Sequence, residues 1–143
     1  MKAFSFRLEQ ALRWRRTQVD LQKSRVAGAA GRLAEIQAFL EARQAELSNA
    51  TAGIGSAPTG FGLGSYAVFK DRSIARIRDL QAQALVAQRT VALEMNRLIE
   101  ANRRVKLVEN LKHGAHDRWL REFDRELAAF ADEAFLCRRQ SRI

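Results

Sequence analysis

Apolar residues return every seven positions through two long stretches of this chain, and that recurrence limits the fold more than any other feature. In the first stretch the row is Leu12, Val19, Val26, Leu33, Leu40 and Leu47. Four residues before each lie Leu8, Arg15, Gln22, Ala29, Ile36 and Arg43, a companion row diluted by polar side chains. In the second stretch Ile77, Ala84, Val91, Leu98 and Val105 keep the same spacing, and Ile74, Gln81, Gln88, Met95 and Asn102 adjoin them. A seven-residue apolar row is the seam of a coiled coil, a stripe wide enough to cover one or two neighbouring helices. Gln22, Gln81, Gln88 and Asn102 are read as seam residues that weaken the pairing while fixing its register.

Between the stretches, residues 48–65 hold five of the eight glycines and the only proline, Pro58. Glycine and proline punctuate chains, so this segment is the joint. Neither stretch makes a compact core alone, and folding back at the joint lets each seam cover the other. The expected fold is all-α: a long antiparallel two-helix coiled-coil hairpin forming a single domain. The first helix covers about residues 4–48, the joint about 49–66 and the second helix about 67–138. A β-sandwich or barrel needs turn residues every 8–12 positions, and the flanks lack them. Dimerisation of extended chains is the competing way to bury the same stripe.

The helical rise of ~1.5 Å per residue gives arms of roughly 65 and 100 Å. Pairing outward from the joint sets Leu8 near Leu111 and Phe4 near Ala115, so the second helix is expected to overhang. The overhang carries His116, Leu120, Phe123, Leu127, Phe130, Ala134 and Cys137 at alternating spacings of four and three, the most aromatic seam in the chain. An uncovered apolar stripe of this kind calls for a partner. The alternative is a break near His113-Gly114, with Asp117 capping a short third helix. Gly28 and Gly31 are read as points where the second arm approaches closely.

The net charge is +9, from 25 basic and 16 acidic side chains. Residues 2–32 hold eight basic and two acidic groups, 33–102 seven of each, and 103–143 ten and seven. The excess lies toward both termini, which suits an acidic partner. Arg13-Trp14-Arg15-Arg16 and Arg118-Trp119-Leu120-Arg121 interleave basic and aromatic residues, as nucleic-acid binders do. No helix-turn-helix, finger or basic-zipper pattern accompanies them, so specific nucleic-acid binding is not expected.

Little else points to chemistry. A single cysteine, Cys137, excludes an internal disulfide, and with only two histidines a cysteine-rich zinc site is ruled out. His113 and His116 are three apart, a weak chelating pair better read as surface histidines. Asp132-Glu133 is a solvated pair, and Gly60, Gly62 and Gly64 do not form a phosphate-binding loop. A two-helix chain offers no concavity to exclude water. The expectation is no catalysis, no metal, no cofactor and no small-molecule ligand. No apolar run reaches the ~18 residues of a membrane span, and charges interrupt the N-terminus where a signal peptide would have its apolar core. A cytoplasmic protein is expected.

Phe4-Ser5-Phe6-Arg7-Leu8-Glu9, followed by Leu12-Arg13-Trp14-Arg15, resembles the FxFxLE…LxxR opening of the flagellar export protein FliJ family. Tyr66-Ala67-Val68-Phe69 is similar to that family's aromatic start to its second helix. The run from Ala101 to Lys112 is similar to its AxxxVKxLExLK segment, and Asp132-Glu133 to its late acidic pair. Gly114 and the glycine-rich joint depart from the pattern. The resemblance implies a coiled-coil stalk of the flagellar type III export apparatus. Such a stalk seats in the export ATPase ring and stimulates it, contacts the cytoplasmic domain of the membrane export gate, and handles export chaperones. It would lie in the cytoplasm, peripherally associated with the inner membrane at the flagellar base.

On that reading, the basic and aromatic terminal end would meet the ATPase through Arg7, Arg13, Arg16, Phe123, Leu127, Phe130, Arg138 and Arg139. By similarity, the joint-proximal part with Tyr66, Phe69 and Ile74 would face the export gate. Three other readings stay open at this point: the equivalent stalk of a virulence secretion system, a basic coiled coil associated with nucleic acid, and a homodimeric scaffold.

Overall fold

The computed structural model of the chain describes residues 3–55 and 59–140. Helix α1 runs Glu9–Ile54 and helix α2 runs Gly60–Gln140, and they pack against each other as an all-α hairpin with no strand among the described residues. Contacts gather into two units, one of Met1–Val19 with Glu100–Ile143 and one of Asp20–Ile99. Each is described in turn.

In the first unit the chain enters through a non-helical segment, and the Glu9 amide donates to the Phe6 carbonyl at 3.1 Å as α1 begins. Leu12 is fully buried and Val19 nearly so. Ala101, Val105 and Val108 of α2 are half-buried in the same unit. Complete burial of one leucine contributes on the order of 1.5–3 kcal/mol. Two ion pairs join the antiparallel helices in this unit, Lys112 Nζ to Glu9 Oε2 at 2.8 Å and Arg16 Nη2 to Glu109 Oε1 at 3.0 Å. Pairing outward from the joint anticipates this register closely.

In the second unit the buried residues are Gln22, Ala29, Ser73, Leu80 and Ala84. The Gln22 side-chain amide donates to the Glu94 carbonyl oxygen at 3.0 Å and also to the Glu94 carboxylate. That carboxylate also accepts from Arg97 at 2.8 Å. Gln22 thus holds a polar seam position with its hydrogen bonds satisfied, as a register-fixing residue must. Nearer the joint, the Tyr66 and Thr51 hydroxyls lie 2.7 Å apart. Since Thr51 donates to the Leu47 carbonyl at 2.8 Å, Tyr66 is the donor to Thr51.

The companion row of α2 differs from the expected one. Gln81, Gln88, Met95 and Asn102 are exposed, and only Ile74 of that row is half-buried. The covered positions lie one residue earlier, at Ser73, Leu80, Ala87, Glu94, Ala101 and Val108. Both rows flank the correctly identified Ile77–Val105 row at helical spacing. The row that carries Leu80 and Val108 turns inward, because burying it leaves the glutamines and Asn102 hydrated.

The helices also run further into the joint than the glycines suggest. Gly60, Gly62 and Gly64 form the first turns of α2. The Gly62 amide donates to the Thr59 hydroxyl at 3.1 Å, and the Leu63 amide to the Thr59 carbonyl at 2.9 Å, so Thr59 caps the helix. A Cβ on Gly62 would sit 3.0 Å from that hydroxyl, so glycine there leaves room for the cap. Residues 56–58, including Pro58, lie outside the described residues.

One further glycine reading needs correction, and the alternative of a break at Gly114 falls away. Gly28 and Gly31 are exposed, and a Cβ at either would meet nothing within 4 Å, so they are not points of close approach. Gly114 likewise has open space at its Cβ, and α2 passes through it unbroken. A single interior glycine costs about 1 kcal/mol, too little to break a helix held on both sides by packing.

Gly28→Ala, Gly31→Ala and Gly114→Ala are each expected to stabilise the chain by about 0.5–1 kcal/mol, read as a higher midpoint of thermal unfolding by circular dichroism. A lower midpoint would mean that the glycine serves a contact that open space does not reveal. Gln22→Ala is expected to destabilise by about 1–3 kcal/mol in the same assay, because it removes donors to a largely buried carboxylate.

Candidate protein-binding surface

Residues 1–19 and 100–143 together carry 15 basic and nine acidic side chains, a net of +6. Within this unit the non-helical N-terminal segment lays Phe4 across α2. The Phe4 ring meets His116 edge-on at 5.0 Å between centroids and Trp119 at 5.9 Å. His116 and Trp119 lie 5.8 Å apart, and Trp119 and Phe123 5.3 Å. Spacings of three and four place these side chains one turn apart along one face of α2. Phe4 lands at His116, beside the Ala115 position that the register predicts. Aromatic pairs at these separations add about 0.5–1.5 kcal/mol each beyond the area they bury.

Beyond the rings that Phe4 covers, the same face is open on both sides of the half-buried Phe123. Leu120 is 39% exposed, Leu127 43% and Phe130 69%, and Phe135 and Leu136 are exposed on other faces of the helix. Asp132, Glu133 and Cys137 are exposed too. Arg138 and Arg139 occupy the last turn of α2, where cations suit the helix dipole. An apolar ridge, edged by charge and continued from a packed aromatic cluster, fits a protein partner.

The other basic candidates lie on the same unit. Arg7 is exposed in the turn before α1, Arg13 is exposed, and Arg16 is exposed while pairing with Glu109. The Arg15 guanidinium stacks on the exposed Trp14 ring at 4.9 Å. The hydrogen bond from Lys112 holds the Glu9 carboxyl below its usual range, helped by the Lys112, Arg13 and Arg16 charges. Of the two histidines, His116 is packed between Phe4 and Trp119. Among the described residues no three His, Cys, Asp or Glu side chains stand together as metal ligands.

The joint-proximal candidates are less prominent than expected. Tyr66, Phe69 and Ile74 are all half-buried, and Tyr66 is committed to Thr51. Reading the joint as a turn hid a neighbour, Phe61, which is 88% exposed near the start of α2. With Gly60, Gly64, Ser65 and Val68 it lines a shallow recess of about 580 Å³. The capping residue Thr59 was the available signal that a helix begins there and presents Phe61.

A groove open to solvent also lies along the helix pair. In the unit of Asp20–Ile99, a groove of about 400 Å³ runs between Ala29, Arg32 and Ile36 of α1 and Ala82, Gln83, Val86, Ala87 and Thr90 of α2. Small side chains on both helices leave it open. Its signal in the sequence was the Ala27–Gly31 run and the alanines at 82, 84 and 87.

Phe4→Ala in a Trp14→Phe background is expected to shift Trp119 emission to longer wavelength and to cost about 1–2 kcal/mol of stability. An unshifted spectrum would place Phe4 off the ring. Because the Glu9 carboxyl titrates below its unfolded value, its contribution is full above about pH 4.5 and fades as pH falls through the folded pKa. Glu9→Gln should therefore flatten the acid limb of the thermal midpoint against pH. An unchanged limb would show that the Lys112 pair does not form in solution.

No helix among the described residues is long and apolar enough to cross a membrane. Comparison with curated proteins and with solved structures found no match. The family model described as flagellar FliJ protein matches residues 4–142, from the Phe4 that packs on His116 to beyond the last turn of α2. The match spans nearly the whole chain and agrees with the hairpin, and the chain therefore belongs to the flagellar FliJ family.

Proposed function

We propose that this chain is the non-enzymatic stalk of the flagellar type III export apparatus. It seats in the export ATPase ring, stimulates hydrolysis, and links the ring to the cytoplasmic domain of the membrane export gate. Family membership makes it a flagellar export-associated protein. The observation that carries the finer reading is the open ridge of Leu120, Leu127 and Phe130 on the unit with the larger basic excess. A narrow helix pair fits inside a ring where a broad domain does not, and an overhanging end of α2 would take cover from the ring's lining. Each apolar side chain buried there contributes about 1.5–3 kcal/mol, and the arginines steer it toward acidic surface.

In this reading Phe123, Leu127 and Phe130 are the apolar contacts with the ATPase. Arg7, Arg13, Arg16, Arg138 and Arg139 are the charged ones. Tyr66, Phe69 and Ile74 belong to the gate-facing part, to which exposed Phe61 is added. Export chaperones are further partners. No cofactor takes part, and the site of action is the cytoplasmic side of the inner membrane at the flagellar base.

Leu127→Ala combined with Phe130→Ala is expected to cut stimulation of the export ATPase at least tenfold while helicity stays unchanged, since both side chains are exposed. Truncation after Arg118 should abolish stimulation. Full stimulation by either variant would remove the ridge from the ATPase contact. Reversing the charges of Arg7, Arg13 and Arg16 should weaken ATPase binding most at low salt, and an unchanged affinity there would count against the basic surface.

A further inference from the structure

We infer that the groove of Ala29, Arg32, Ile36, Ala82, Val86 and Thr90 receives the α2 ridge of a second copy of this chain, with carboxylates of the ridge meeting arginines on the groove's rim. The groove is open because alanines stand where larger side chains would fill it, and its volume of about 400 Å³ admits a row of apolar side chains. Arg32 lines it, and Arg25 lies seven residues earlier, two turns along the same edge of α1. Both arginines are exposed, and among the described residues neither makes an ion pair. The rim is therefore positive and uncompensated.

The chain itself carries the complement. Leu120, Leu127 and Phe130 form an exposed apolar row on α2. Glu126 and Glu133 flank that row on one side, seven residues apart, and both are exposed without an ion pair among the described residues. Equal spacing of two free acids beside a ridge and two free bases beside a groove allows both ion pairs to form at once. Phe130 and Leu127 against Ala29 and Ala82 pair large side chains with small ones, as packed helices require. Each copy carries both this groove and this ridge. Under the stalk reading, the same Leu127 and Phe130 meet the ATPase, so self-association would cover them until the ring takes them up.

The test uses the full chain without the ATPase, so its outcome is independent of the stalk reading. One variant carries Arg25→Glu and Arg32→Glu; the other carries Glu126→Arg and Glu133→Arg. Sedimentation velocity over a concentration series reads association, and circular dichroism checks that helicity is retained. The unaltered chain should associate in the range of roughly tens of micromolar, more weakly as salt rises. Each variant alone opposes like charges and should weaken association about tenfold or more. An equimolar mixture restores opposite charges at both contacts and should associate like the unaltered chain. A monomeric unaltered chain at several hundred micromolar, a variant that associates as well as the parent, or a mixture that fails to recover would each overturn the inference.

Discussion

Each helix of this chain buries only a narrow stripe of side chains on the other. Among the described residues five apolar ones, Leu12, Val19, Ala29, Leu80 and Ala84, are buried, together with Gln22 and Ser73. With so little interior, specificity comes from a few contacts that set register. In one unit these are the Glu9–Lys112 and Arg16–Glu109 pairs and the ring of Phe4 on His116. In the other they are Gln22 with Glu94 and Tyr66 with Thr51. Exposed ion pairs contribute little each, so they choose among registers more than they stabilise the pair. A seam this thin also leaves most of each helix surface available to other proteins.

Much of this was legible from residue spacing. The row from Leu12 to Leu47 is the buried or half-buried edge of α1, and pairing outward from the joint brings Phe4 to within one residue of its aromatic partner. What spacing could not decide was which of two rows beside Ile77–Val105 turns inward. The rows that begin at Ser73 and Ile74 differ by one residue, and both satisfy the helical period. The choice rests on hydration of Gln81, Gln88 and Asn102, which emerges only when both helices are in place. Glycine misled for a related reason. Gly60, Gly62 and Gly64 have low helix propensity, but a Thr59 cap and a long helix beyond them offset it. Gly28 and Gly31 permit close approach without causing it, and no neighbour approaches.

The candidate surface was readable in part. The stripe from His116 to Cys137 is visible as alternating spacings of four and three, and Leu120, Leu127 and Phe130 are exposed along it. The N-terminal segment changes its beginning: Phe4 covers His116 and Trp119, so the open ridge starts about one turn later than the stripe does. The basic excess of the same unit is a property of composition and needed no structure. The groove beside Arg32 was hidden, because small residues signal close packing and open space equally well. Family membership joins these features to flagellar export, and the ridge and basic surface carry the reading that the chain serves there as a stalk.

Site-specific photo-crosslinking to the export ATPase tests that reading most directly. A photoreactive amino acid would replace Leu127 or Phe130 on the ridge, or Phe69 near the start of α2, in otherwise unaltered chains. Adducts to the ATPase from 127 and 130 but not from 69 are the expected result. Adducts from 69 alone would contradict the account and reverse which end of the hairpin enters the ring.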